Sequence, residues 1–576
     1  MTRGQARHRL PTWASGLLLA GLLIGLAGCR NPTPNAAPAA RSSSEQVVAS
    51  FVNASTAAGV DFRRRHCGAG RKCYPETMSA GAAFFDYDGD GDLDLYCVQG
   101  APTPGYHGPA PEGNVLFRNE GNGKFSRVPG AAGAACNGYG VGCVAADYDN
   151  DGDQDLYVCN YGPNRLYQNQ GDGTFRDLTA AAGISGGSAF TSDAAFGDYD
   201  RDGHLDLFLA NYVLYSWGDE DKMRRPEQLL AYFSPLSFRG CPNVLYHNNG
   251  DGTFTDVTRQ AGLYSELTRG MDATWFDFND DGYPDLFVTN DMGPQLLYRN
   301  NRNGTFTEMG VEAGVAFNEE GQVVSGMSVD VADYDHDGRL DVLVSNFEGQ
   351  STLLFHNEGG GKFTDVSYQS GVGPTGLPHV SFGANFLDFD NDGHPDVYVA
   401  NGHVMDNPEL VTETSRYQQP DQLLRNLGNG RFADVSAQAG PWFSEAHVGR
   451  GVAVGDYNED GYPDLYVAHS NELGALIRND TPHRNHWIKL KLVGTRSNRD
   501  GVGARVTLRA SGLTQVDEVT NGAGILAASD MRLIFGLGQA TTVDSLEVRW
   551  PSGARTLLKG LKADQLLTIT ESAGPR

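Results

Sequence analysis

The stretch "DYDGDGDLDLY" at residues 86–96 sets five aspartates into nine positions and then runs into alternating Leu, Asp, Leu and Tyr, the spelling of a strand. The nine-residue phrase returns as DYDNDGDQD from Asp147, DYDRDGHLD from Asp198, DFNDDGYPD from Asp277, DYDHDGRLD from Asp333, DFDNDGHPD from Asp388 and DYNEDGYPD from Asp456. Seven copies at intervals of 51 to 79 residues lie too far apart for a helix pair or a solenoid coil, and suit a four-stranded blade with its loops. Each copy follows a small-residue strand, such as GAAFF or GVAVG, and precedes an alternating one, such as PDLFVTN. A second phrase, NRLYQNQGDGTFRDLTAAAG from Asn164 and NVLYHNNGDGTFTDVTRQAG from Asn243, reads as a hairpin about an Asp-Gly or Asn-Gly turn. Four short strands repeated seven times predict an all-β chain whose residues 47–480 form a seven-bladed β-propeller.

The phrase also carries chemistry. Positions 1, 3, 5 and 9 offer hard oxygen ligands and the invariant Gly at position 6 permits a sharp turn, so the oxygens can converge as calcium requires. In the first copy Asp86, Asp88, Asp90 and Asp94 are the side-chain candidates, with the carbonyl of Asp92 as a fifth. The corresponding sets are Asp147, Asp149, Asp151, Asp153 and Asp155, then Asp198, Asp200, Asp202, His204 and Asp206, then Asp277, Asn279, Asp281, Tyr283 and Asp285. They continue with Asp333, Asp335, Asp337, Arg339 and Asp341, with Asp388, Asp390, Asp392, His394 and Asp396, and with Asp456, Asn458, Asp460, Tyr462 and Asp464, for up to seven calcium ions. The two copies with Asn at position 3 lose a charge and are expected to bind more weakly. An EF-hand would need Glu at position 12, where this chain has Cys97, Val158, Leu209, Val288, Val344, Val399 and Val467. The competing reading of each loop is a polar turn whose aspartates cap backbone N–H groups.

The repeats resemble the FG-GAP or VCBS repeats of integrin alpha-subunit propellers. Beyond Asn479 the pattern stops, and NHWIKLKLVGTRSNRDGVGARV and VRWPSG resemble the ASPIC/UnbV domain that follows such propellers in the cartilage acidic protein family and its bacterial relatives. Residues 481–576 are expected to be a small, sandwich-like β domain. The resemblance implies calcium binding and extracellular association. Within RSNRDGVGAR, Arg496, Arg499 and Arg505 suggest either an anion cradle or a turn held by salt bridges.

The first 29 residues read as an address: Arg3, Arg7 and Arg9 precede the apolar run GLLLAGLLIGLAG, and LAGC resembles a lipobox in which Cys29 is lipidated. An ordinary secretory signal is the alternative. Arg30 follows, favouring the outer membrane or cell surface, and the Pro-, Ala- and Ser-rich residues 30–46 read as a flexible tether. A net charge of −27, from 44 basic and 71 acidic residues, argues against nucleic acid and against any membrane contact beyond a lipid anchor. In an oxidising compartment the other seven cysteines suggest disulfides, with Cys67–Cys73 and Cys136–Cys143 as first pairs.

Length varies in the connections after the second and fourth strands, which emerge on the face opposite the aspartate loops; the longest are 99–113, 211–242 and 401–420, with 59–79 among the inter-blade ones. A contact with an extracellular protein or glycan is expected there, around Tyr212, Tyr215, Trp217, Tyr232, Phe233, His403 and His447, making the chain a binding or adhesion module. The alternative is a metal-assisted lyase or hydrolase, with His379, His403, His447 and His469 meeting at the propeller mouth; no familiar catalytic motif is present. Finally, blade seven lacks a fourth strand, and FVNASTAAG at 51–59 matches FTDVTRQAG at 254–262. Residues near 48–56 are therefore expected to complete it, pairing antiparallel with 474–479.

Overall fold

A computed structural model describes residues 49–225, 229–522 and 524–572. Small residues and alternating strands assemble as their periodicity demands, into seven consecutive four-stranded antiparallel sheets. Each sheet runs outward from its first strand: Ala82–Phe85 in blade one, then Tyr139–Ala146, Thr191–Gly197, Gly270–Phe276, Val329–Ala332, Ser381–Leu387 and Gly449–Gly455. These innermost strands pack side by side in that order, and the last returns to the first, so the ring is closed.

Blade seven is completed from the other end of the chain. Phe51–Asn53 pairs antiparallel with Ala475–Asn479, Phe51 opposite Asn479 and Asn53 opposite Ile477. The match extends to side chains: Asn53 Oδ1 accepts from the N–H and the hydroxyl of Ser55, and Ser55 Oγ accepts from Leu476 N. Asp256, Thr258 and Leu245 make the same three bonds in blade three. Cys29 and residues 30–46 lie outside the described residues.

The C-terminal segment forms two further sheets, His486–Val493 between Leu533–Gly538 and Gln565–Thr570, and a four-stranded one containing Arg505–Ala510 and Thr542–Arg549. Their facing apolar residues, among them Leu490, Val506, Leu508, Leu546 and Trp550, share a core. This small sandwich sits on the aspartate-loop face, and one of its connections enters the ring. Ala527–Ala528 pairs parallel with Ala82–Ala83, Leu526 N donates to Asp193 Oδ2 at 2.6 Å, Ile525 N to Ser328 Oγ at 3.1 Å, and Asn521 Nδ2 to Ala145 O at 2.7 Å. The small residues of the innermost strands make room for this plug: a Cβ on Gly81 would lie 2.5 Å from Leu526 O, and one on Gly142 would lie 2.9 Å from Leu526 Cα. Burial pushes the carboxyls of Asp193 and Asp272, fully buried beside it, well above the usual carboxylate range.

The expected disulfides do not form. All seven cysteines among the described residues are buried free thiols. Cys73 turns from Cys67 to donate to Glu220 Oε1 at 3.2 Å, while Cys143 points into the core of blade two, and Cys136 Sγ accepts from Gly138 N at 3.3 Å.

Because Phe51 is completely buried between Phe389 and Phe443, Phe51→Ala should cost on the order of 3–5 kcal/mol. Removing residues 47–58 should lower the melting temperature of the calcium-saturated protein further still, although no loop aspartate is touched. An unchanged thermal transition would refute closure by this strand.

Candidate functional site

The seven aspartate loops share one construction. The Gly at position 6 has φ between +85° and +105°, a region closed to side chains, and its N–H donates to the position-1 carboxylate at 2.7–3.1 Å. Position 5 accepts from the N–H of position 7 at 2.9–3.0 Å. The aspartates thus do cap backbone donors. Capping leaves oxygens over, however: Asp86 and Asp88 Oδ1, Asp149 Oδ1, Asp198 Oδ1, Asn279 Oδ1, Asp333 Oδ1 with Asp341 Oδ2, and Asp464 Oδ2 are buried without a hydrogen-bond partner, at least one in six of the seven loops, while in the loop at Asp388 the buried Asp390 Oδ2 is ion-paired with Arg425. Ligand atoms of Asp86, Asp88 and Asp90, and of Asp147, Asp149 and Asp155, converge within 4.8 Å.

Position 7 contributes no side chain. His204 faces Asn150, Tyr283 lies under Arg201, Arg339 pairs with Asp337, His394 meets His336 at 2.8 Å, and the Tyr462 hydroxyl donates to Asn485 O.

Two partners of the loops were not anticipated from sequence. The first is the Asn at or near the end of each third strand. Its backbone N–H donates to the position-9 aspartate of its own blade at 2.7–2.9 Å. Its side-chain amide then crosses to the preceding blade: Asn169, Asn248, Asn300, Asn357, Asn426 and Asn479 donate to the carbonyls of Tyr87, Tyr148, Tyr199, Phe278, Tyr334 and Phe389, and Asn119 closes the circle on Tyr457, all at 2.7–2.9 Å. The signal was present in the recurring LYQN, LYHN and LYRN.

The second is cationic. Arg425 lies 2.7 Å from Asp390, His247 3.0 Å from Asp206 and His356 3.2 Å from Asp341. Hydrogen bonding to those aspartates pushes both imidazoles up to about 9. The sandwich supplies Arg549 at 2.9 Å from Asp277 and the fully buried Lys489 at 2.5 Å from Asp456. These two loops are the ones with Asn at position 3. The segment 496–505 also serves docking: Arg499 N donates to Asn150 Oδ1, and Arg505 Nη2 to Gly338 O.

On the opposite face most of the expected contact residues are structural. Tyr212, Tyr215 and His403 are buried. Tyr212 stacks on Tyr74, Trp217 packs against Tyr161 and Tyr215, and Tyr232 donates to Glu76. The long connections interlock through Arg71–Asp221 and Lys72–Asp406. Exposed there instead are Leu229, Leu230, Leu236, Leu410 and Val411. Of the four histidines, His447 and His469 meet, 4.7 Å between ring centroids, whereas His403 faces Glu348 and His379 lines a separate edge cavity.

Closed rings of aspartate-loop blades with a docked β-sandwich define the class. The chain belongs to the FG-GAP-like repeat family, which it matches over residues 86–158, 147–209, 236–288, 277–344, 337–399 and 407–467, and residues 494–576 match the ASPIC and UnbV family. It is 25% identical over 532 residues to cartilage acidic protein 1 of Mus musculus, covering 87% of this chain and 75% of that protein, and 24% identical over 530 residues to the Homo sapiens protein, covering 87% and 73%. Among solved structures, the BP39L lectin of Burkholderia pseudomallei is 10% identical with a TM-score of 0.41, covering 70% of this chain and 96% of that one. A lectin of Agrocybe aegerita that recognises non-reducing terminal N-acetylglucosamine is 17% identical with a TM-score of 0.37, covering 69% and 87%. Among the described residues no helix is long and apolar enough to cross a membrane.

Two outcomes follow from the loops themselves. Asn300→Ala strips donors from the buried carbonyls of Tyr199 and Pro284, and should cost roughly 2–4 kcal/mol in urea denaturation under excess calcium. In the metal-free protein, burial and then neighbouring carboxylates push Asp94, Asp147 and Asp333 up to about 8. The fold therefore holds protons that an unfolded chain, with carboxylates near ~4, has released, so the chelated protein should lose stability as pH rises from about 5 to about 8. Melting temperatures of the chelated protein across that range check the sign.

Proposed function

We propose that this chain is an exported binding module, anchored through lipidated Cys29, whose propeller is stabilised by calcium and whose long-connection face engages an extracellular protein or glycan. The observation that supports the calcium reading is the unpartnered buried oxygen in six of the seven aspartate loops. Burying such an atom without a partner costs about 1–3 kcal/mol, and a hard divalent cation offsets that cost for several oxygens at once. Asp86, Asp88, Asp90 and Asp94, with their counterparts in the other copies, would hold the ions. The loop at 147–155 is the best prepared, since no ion pair with its aspartates occurs among the described residues. The loops at Asp277 and Asp456 are the poorest, because Arg549 and Lys489 already offset their charge.

Occupancy supports this choice of binding face. The sandwich covers the aspartate-loop face and its plug fills the ring, which leaves the interlocked connections 59–79, 211–242 and 401–420 as the free surface of the disc, tipped with exposed aliphatic residues.

Chelation with verified metal removal should lower the melting temperature by roughly 5 °C or more at neutral pH, since each site at hundredfold excess contributes about 2.7 kcal/mol. Metal analysis of Asp149→Asn should show one calcium fewer. An unchanged transition after chelation would refute the calcium reading. A glycan and protein array probed with and without calcium tests the binding reading, which fails if the only signals survive Leu410→Asp and Val411→Asp.

A further inference from the structure

A cluster far from the aspartate loops has a different donor chemistry. His469 ends the strand Asp464–His469, and Glu472 follows in the turn, where Asn471 takes a left-handed φ of +60° and brings the two side chains to the same side. His447, in Ala446–His447 just before the first strand of blade seven, reaches in from the neighbouring connection. One ligand atom from each of the three lies within 4.8 Å of the others.

The hydrogen-bonding state of His469 is fixed by its surroundings. Its ring is 1% exposed, and Nδ1 lies 2.6 Å from Leu473 O. A carbonyl offers no proton, so Nδ1 is the donor and the neutral ring carries its lone pair on Nε2. That Nε2 is buried and has no hydrogen-bond partner, while Nε2 of His447, also without a hydrogen bond, lies 3.5 Å from Glu445 Oε2. Glu472 Oε2 lies 3.7 Å from His447 Nδ1 and accepts from Val448 N at 3.3 Å. Trp442 backs the group, its ring parallel to His447 at 4.6 Å.

We propose that His447, His469 and Glu472 form a binding site for a transition-metal ion of the zinc class. Two imidazoles and one carboxylate are an N/O donor set that suits zinc, whereas calcium takes oxygen alone. The bond from Nδ1–H of His469 to a backbone carbonyl is the kind of outer contact that fixes the tautomer and orients a ligating imidazole. In the metal-free arrangement the two imidazoles lie parallel, 4° between planes, so ligation tilts them out of the stack and toward a shared ion. Three protein ligands leave a fourth position for water or a ligand group on the long-connection face. The site uses no atom of the aspartate loops and stands independently of the calcium reading.

The test titrates Co2+, then Zn2+, into the full chain saturated with calcium. One equivalent is expected, with the visible absorption of low-coordinate Co2+ carrying imidazole ligands, displaced by Zn2+. Affinity should fall at least about tenfold in His447→Gln and in Glu472→Gln; both side chains are partly exposed, so these variants remain informative if His469→Gln fails to fold. His247→Gln and His356→Gln, which alter two other histidine-containing acidic groups, should leave the equivalent intact. Absence of the equivalent, or its loss in the latter pair and not the former, overturns the proposal.

Discussion

The bond on which the ring depends runs from the side-chain amide of one blade's Asn to the backbone carbonyl at position 2 of the preceding blade's aspartate loop. The same Asn is locked by its own backbone N–H to the position-9 aspartate, and that aspartate is buried, with no water to substitute for it. Loop conformation and blade-to-blade packing are therefore one network. A loop that rearranges shifts the carbonyl its neighbour uses, and seven identical joints distribute the disturbance around the disc. This is why charge can be concentrated here: the carboxylates crowded into each loop also define the geometry of the ring.

The sandwich completes what the ring leaves unsatisfied. Glycine- and alanine-rich innermost strands cannot fill a channel with their own side chains, and Asn521 with the segment from Gly524 to Asp530 supplies backbone and small apolar groups that do. Its cations meet the two loops whose position 3 is neutral. Propeller and sandwich thus share a core and a charge pattern.

Much of this was legible because it is periodic. Seven copies of a nine-residue phrase reveal strand, turn and oxygen positions together, and the missing fourth strand of blade seven could be located at Phe51 because its partner phrase was known from other blades. The stitching Asn was visible in each copy but offered no hint that its amide crosses to another blade. The plug was harder: NGAGILAAS has neither strand alternation nor helical spacing, since its surroundings are strands of several blades and not one sheet. The aromatic residues of the long connections misled for a related reason. Tyr212 and Tyr215 in a variable loop look available, yet a loop of that length needs a core of its own, and Tyr74, Tyr215 and Phe238 provide it.

The position of the closing strand also orders the birth of the molecule. Ser55 and its partner Leu476 are separated by 421 residues, so the first piece of the propeller to be synthesised waits for almost the whole chain before it can pair. Until then the disc is an open arc with an unpaired outer edge on blade seven and an empty axis, the kind of long-range closure that folds slowly and attracts other strands. The plug arrives later still. A chain built this way commits to its native ring only after translation is nearly over, and a truncated copy ending before blade seven retains an orphan N-terminal strand that can find its complement only in another molecule.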